Sequence, residues 1–244
     1  MSMRDLDAGL RNAVRHFWLT RQQQSTRQGD TEDRDQGARG AVTGGKQMDG
    51  FVRLVRELLI AAKVPEACIA IDKRVELPGW FRAEKKWDLV IVHGGQLLAA
   101  LEFKSQIGPS FGNNFNNRTE EALGSATDIW AAYREGAFKP SSRPFLGYLM
   151  LLEDCEPSRS PVKVAEPHFP VFREFKKASY RDRYAILIEK LLRDRLYDGA
   201  CFLLSNAASA VNGDYTEPHP ELTFAKFVNP LLAQVGAICS PRLL

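Results

Sequence analysis

Apolar residues recur along this chain in two rhythms. Leu6, Leu10, Ala13, Val14, Phe17 and Trp18 fall at helical spacing and predict a first helix over residues 4–20. Phe51, Leu54, Val55, Leu58 and Leu59 repeat that rhythm over about Asp49 to Lys63. Residues 68–77 alternate like a strand until Pro78-Gly79 turns the chain. Two apolar runs, Leu89 to Val92 and Leu97 to Leu101, then flank Gly94-Gly95 and read as a strand pair. A helix is expected from a cap at Asn117 to about Arg134, with Glu120 and Glu121 in its favourable first turn. Residues 145–152 form an apolar run of strand length, a helix covers about Tyr180 to Tyr197, and Gly199 to Leu204 reads as another strand. A last helix follows Leu222. From Arg21 to Lys46 almost nothing is available to bury, which predicts a polar loop or arm. The sum is one α/β domain over residues 1–244, a central mixed sheet flanked by helices, with no internal repeat.

The strand pair also carries charge. Asp88 opens its first strand, and Glu102-Phe103-Lys104 closes its second. Side chains alternate along a strand, so Glu102 and Lys104 share a face and Phe103 takes the other. A three-residue connection or a bulge sets Asp88 opposite Glu102. A plain two-residue turn sets it opposite Leu101, with the carboxylates on opposite faces. A shared site therefore needs the three-residue connection or the bulge, and Gly94-Gly95 permits either, because glycine accepts the positive φ that such loops demand. Two carboxylates and a lysine at one sheet edge are the equipment of a Mg²⁺-dependent phosphodiesterase; the competing reading is a salt bridge at a strand end. Two other Glu-x-Lys patterns, Glu84-Lys85-Lys86 and Glu174-Phe175-Lys176, follow no apolar run and are set aside.

Bulk properties narrow the field without choosing within it. With 244 residues and 44% hydrophobic content the chain can bury a large core. Its 33 basic and 30 acidic residues leave a net charge of only +3, compatible with DNA binding but no evidence for it. No run approaches the roughly 20 apolar residues of a membrane span, and the N-terminus has no apolar signal core, so a cytoplasmic protein is expected. Cys68, Cys155, Cys201 and Cys239 lie far apart with no Cys-x-x-Cys pair, which argues against structural zinc. There is no phosphate-cradling glycine loop or serine-nucleophile elbow.

Several stretches together resemble XhoI-type restriction endonucleases. They are Gly44-Gly45-Lys46-Gln47-Met48-Asp49-Gly50-Phe51, Trp87-Asp88-Leu89-Val90, Glu102-Phe103-Lys104-Ser105, the run from Gly108 to Asn117 with Arg118, Glu120 and Glu121 after it, and His168-Phe169-Pro170-Val171-Phe172. The similarity spans roughly residues 39–220, and Gly108-Pro109-Ser110-Phe111-Gly112-Asn113-Asn114 is its most distinctive part. The resemblance implies the PD-(D/E)xK fold and a type II restriction enzyme. Such an enzyme would be a homodimer that cuts both strands of CTCGAG after the first C, leaving four-base 5′ overhangs. It would act on double-stranded DNA with Mg²⁺, beside a cognate DNA methyltransferase. Trp87 stands where the motif's name has proline, which leaves the acidic chemistry untouched.

On that basis Asp88 and Glu102 are the expected Mg²⁺ ligands, with the Phe103 carbonyl a further one and water completing the octahedron. Lys104 is expected beside the attacking water. Asp49 and Glu57 are secondary candidates for a supporting carboxylate, though a helix-start or surface charge explains each. Asn113, Asn114, Asn116, Asn117 and Arg118 form a cluster that, under the resemblance, contacts DNA bases or phosphates; a tight loop is the alternative. Arg27, Arg34, Arg39 and Lys46 would let the polar arm wrap DNA, or simply keep it solvated. Phe169, Phe172, Phe175 and Tyr180 are expected to pack in the core or a dimer interface rather than stack on bases. The rival functions are a structure- or mismatch-specific nuclease of the same fold and a catalytically silent DNA-binding protein.

Overall fold

A computed structural model describes residues 3–29 and 46–239. The chain begins with α1 (Met3–Gly29), then a 3₁₀ turn (Lys46–Met48) leads into α2 (Asp49–Ala61). Three short strands follow: β1 (Ile69–Ile71), β2 (Glu76–Pro78) and β3 (Glu84–Lys86). The strand pair is β4 (Leu89–His93) and β5 (Gln96–Gln106), after which come α3 (Phe111–Arg134) and β6 (Phe145–Glu153). The one-turn α4 (Glu156–Arg159), α5 (Tyr180–Arg193), β7 (Gly199–Ser205) and α6 (Phe224–Cys239) complete the order. Five strands form one sheet in the order β1-β4-β5-β6-β7, while β2 and β3 form a separate antiparallel hairpin. Pairing is antiparallel from β1 to β5 and parallel from β5 to β7, so the sheet is mixed as expected.

Helices cover both faces of the sheet. On one, α1, α2 and α6 bury Val14, Phe17, Phe51, Leu59, Phe227 and Leu231 against Leu89, Ile91, Leu101, Phe103 and Leu149. On the other, α3 and α5 bury Ala126, Ile129, Ile188 and Leu191 against Val90, Ala100, Leu146, Met150 and Phe202. Close approach of α6 needs Gly147, where an added Cβ would stand 2.5 Å from Leu101 and 2.8 Å from the Phe227 ring.

Three elements depart from expectation. The first helix runs on through Gly29, so residues 21–29 of the expected arm are helical; residues 30–45, with Arg34 and Arg39, lie outside the described residues. Gln and Arg are good helix formers, and the helix continues on propensity where apolar periodicity has ended. The expected strand over 68–77 is two strands, separated by Asp72 and Arg74 at φ 61° and 60°. The helix expected from Asn117 instead starts at Phe111, six residues earlier. Phe111 is buried and stacks on Tyr180 at 5.7 Å, and Phe115 packs edge-on against Tyr184, so tertiary packing overrides the weak helix propensity of asparagine.

Candidate active site

The register between β4 and β5 decides the site. His93 pairs with Gln96 across a two-residue turn in which Gly94 and Gly95 both take positive φ, 56° and 75°. Continued unchanged, that register would separate the two carboxylates. It shifts after Val92↔Leu97, because the next pair is Ile91↔Ala99 and Leu98 is the extra residue of a bulge. Leu98 and Ala99 consequently share one core, breaking the alternation, and every later β5 side chain changes face. Pairs then run Leu89↔Leu101, which carries Asp88 to the position opposite Glu102.

Around that position six charged groups converge from β3, β5, α3 and the entry to β4. The Asp88 Oδ2 accepts a 2.7 Å hydrogen bond from the Phe103 N–H. Glu102 is buried, at 3% exposure, and its Oε1 receives two ammonium groups: Lys104 Nζ at 2.7 Å and Lys85 Nζ at 3.1 Å. Its other oxygen, Oε2, is buried without a hydrogen-bond partner. Lys104 also lies 3.5 Å from Glu121 Oε2, and Glu121 pairs with Arg118 one turn earlier on α3. The strand neighbour of Glu102 on β6 is Tyr148, a fully buried ring whose hydroxyl has no partner.

Burial and charge act differently on the two carboxyls. Burial pushes Asp88 above the usual aspartate range; the Phe103 N–H opposes this, and negatively charged Glu102 adds to it. Burial would also raise Glu102, but Lys104 and Lys85 together hold it below the ordinary glutamate value. Lys104 loses solvation too, yet Glu102 holds its ammonium above the usual lysine value. The site therefore holds one reluctant anion beside one firmly ionised ion pair.

Two oxygen-bearing carboxylates, one with an unpartnered buried oxygen, suit a hard divalent cation such as Mg²⁺. Among the described residues no group of three Asp, Glu, His or Cys side chains could hold a metal. A cation held there would need backbone carbonyl or water to complete its shell.

Asp88, Glu102 and Lys104 are thus together. The asparagines lie on the first turns of α3, not in a loop: Asn113, Asn116 and Asn117 are exposed, while Asn114 and Arg118 are half-buried. Asp49 sits elsewhere, with Asp72, Arg53, His16 and Lys46 as charged neighbours, and Glu57 is exposed. Phe169 and Phe172 are exposed at 84% and 75%, so they do not pack the core; half-buried Tyr180 does pack, against Phe111. Lys85 and Glu121 were missed. Lys85 lies in the Glu84-Lys85-Lys86 run set aside for following no apolar run, and Glu121 read as an ordinary first-turn charge. Asp128 explains how Lys85 reaches the site. This buried α3 carboxylate accepts from the Trp80 and Phe81 N–H groups at 2.8 and 2.7 Å and pairs with Arg82, gripping the hairpin that carries β3.

A mixed sheet flanked by helices, with Asp and Glu-x-Lys at the bulged strand pair, is the architecture of the restriction-endonuclease-like fold. The chain belongs to the XhoI restriction endonuclease family, whose model matches residues 25–217. It is 52% identical over 208 residues to the type II restriction enzyme BstVI of Geobacillus stearothermophilus, covering 83% of this chain and 93% of that one. It is 43% identical over 194 residues to type II restriction enzyme XhoI of Xanthomonas vasicola, covering 79% and 77%. Type II restriction enzyme AbrI of Azospirillum brasilense is 46% identical over 170 residues, covering 69% and 76%. No solved structure matches the chain. Among the described residues no helix is long and apolar enough to cross a membrane.

Proposed function

We propose that this restriction endonuclease makes Mg²⁺-dependent double-strand cuts at the palindrome CTCGAG, after the first C, leaving four-base 5′ overhangs. The observation that carries the chemistry is the unpartnered, buried Oε2 of Glu102 beside Asp88, with Lys104 held on the same carboxylate. Family membership supports the rest.

In this reading Asp88, Glu102 and the Phe103 carbonyl hold Mg²⁺. When bound, the ion polarises the scissile phosphate and lowers the pKa of the attacking water. Lys104, kept protonated by Glu102, stabilises the hydroxide form of that water and the negative charge that grows on the phosphorane. The Phe103 N–H fixes the Asp88 carboxylate, so the oxygens are oriented before substrate arrives. Asn113, Asn114, Asn116, Asn117 and Arg118 contact the DNA. Asn113, Asn116 and Asn117 present amides from one exposed side of α3, on the turns that precede Glu121 and its contact with Lys104. A homodimer matches the twofold symmetry of a palindrome, and a cognate methyltransferase would protect the host's own sites.

Digestion of a plasmid carrying a single CTCGAG, with Mg²⁺ and with EDTA, followed by end sequencing, tests this. One Mg²⁺-dependent cut with 5′-TCGA ends is expected. A cut elsewhere overturns the specificity, and cleavage that persists in EDTA overturns the metal mechanism.

A further inference from the structure

The catalytic scheme above employs one lysine, but two stand on Glu102. Lys85 is the more enclosed, its side chain 14% exposed against 24% for Lys104. Besides Glu102 Oε1, its ammonium reaches the Lys86 carbonyl at 3.4 Å and lies 4.6 Å over the ring of buried Trp87. Lysine is seldom enclosed unless paired, and here three kinds of partner hold it. The hairpin that delivers it is fixed to α3 through Asp128, so Lys85 is placed by the fold and not by a wandering surface side chain.

Lys85 changes the charge that an arriving cation meets. Both lysines pair with the same Glu102 oxygen, and Glu121 pairs with Arg118. A divalent ion entering between Asp88 and Glu102 would therefore meet a Glu102 that already holds two ammonium groups, and would compete with Lys85 for it. We propose that Lys85 is the resident counterion of the metal site. It occupies Glu102 Oε1 in the free protein and holds the site's affinity for divalent cations down. Lys104 cannot take over this role, because the cleavage scheme needs it beside the water while the metal is present. The proposal rests on Asp88 and Glu102 being the metal ligands.

The test is Mn²⁺ binding to the free protein, without DNA, followed by the electron paramagnetic resonance of the unbound ion. Lys85→Met should bind Mn²⁺ on the order of tenfold more tightly than wild type, the size expected for removing one partly screened charge close to the ion. Lys85→Gln keeps a donor for Glu102 and should show the same direction, which separates lost charge from lost packing. Lys85→Arg keeps the charge and should retain wild-type affinity. Unchanged or weaker binding in both Lys85→Met and Lys85→Gln overturns the proposal, as does tighter binding in Lys85→Arg. Glu102→Gln should lose Mn²⁺ binding. If it binds as wild type does, the metal site itself is misassigned, a failure distinct from that of Lys85.

Discussion

The central sheet shows opposite chemistry on its two faces, though the same strands build both. Toward α1, α2 and α6 the strands present Leu89, Ile91, Leu101, Phe103, Leu149, Leu151 and Leu203, closed over by aromatic and aliphatic side chains. Toward α3 and α5 they present Val90, Ala100, Met150 and Phe202, but also Glu102, Lys104, Gln106 and Tyr148. One strand, β5, contributes to both: Phe103 meets Phe227 edge-on at 6.5 Å while its neighbours Glu102 and Lys104 make an ion pair. Alternation along a single strand lets a packed core sit directly behind a charged site. The apolar face gives the site a rigid back, and the charged face bears the cost of burying its groups.

Removing chemistry from the charged face should affect rate far more than folding. Lys104→Ala is expected to lower the cleavage rate at least about 10³-fold, roughly 4 kcal/mol of transition-state stabilisation. Metal and DNA binding should survive, because the Asp88 and Glu102 carboxylates remain in place. Single-turnover cleavage beside Mn²⁺ and duplex titrations checks this, and full activity would remove the lysine from the mechanism.

The opposite face should behave the other way. Phe227 is fully buried against Phe103 and Phe224, so Phe227→Ala should destabilise by about 3–5 kcal/mol through lost burial and a cavity. For a domain of this size that is a fall of roughly 10 °C in unfolding temperature. Below the lowered transition, cleavage should stay within a few-fold of wild type. A loss of activity as deep as that of Lys104→Ala, in folded protein, would mean that the two faces are not separable.

That contrast also governs what the sequence alone revealed. Both apolar cores were legible as periodicity, and Asp88, Glu102 and Lys104 stood out because charge at the end of an apolar run is conspicuous. A shared site required a bulge or a three-residue connection, but its place was not legible: Leu98 and Ala99 are both apolar, so no polarity marks where the alternation slips. Lys85 was hidden for the converse reason, being one lysine in a polar run whose contact with Glu102 spans seventeen positions and a second sheet. The early start of α3 was masked by its asparagines, although Phe111, Phe115 and Ala122 keep helical spacing through them.

The smallest expected effect tests whether the charged face costs stability. Asp88 has its folded-state pKa raised, chiefly by burial, above its value in the unfolded chain. Above the folded value, ionised Asp88 is therefore a net cost to the fold. As pH drops, the cost diminishes, and it is gone below the unfolded value, near 4. Asp88→Asn removes the charge and keeps an amide oxygen to accept from the Phe103 N–H. At neutral pH it should stabilise the metal-free protein by about 1 kcal/mol, the scale usual for relieving a functional-site strain, while cleavage is lost. Denaturant melts of wild type and Asp88→Asn at neutral pH and near pH 3.5 check both parts. The gain must be present at the higher pH and vanish at the lower one. A variant no more stable at neutral pH would mean that Lys85 and Lys104 already offset the burial of Asp88 as well as that of Glu102, and that the reluctant anion of this site is not destabilising.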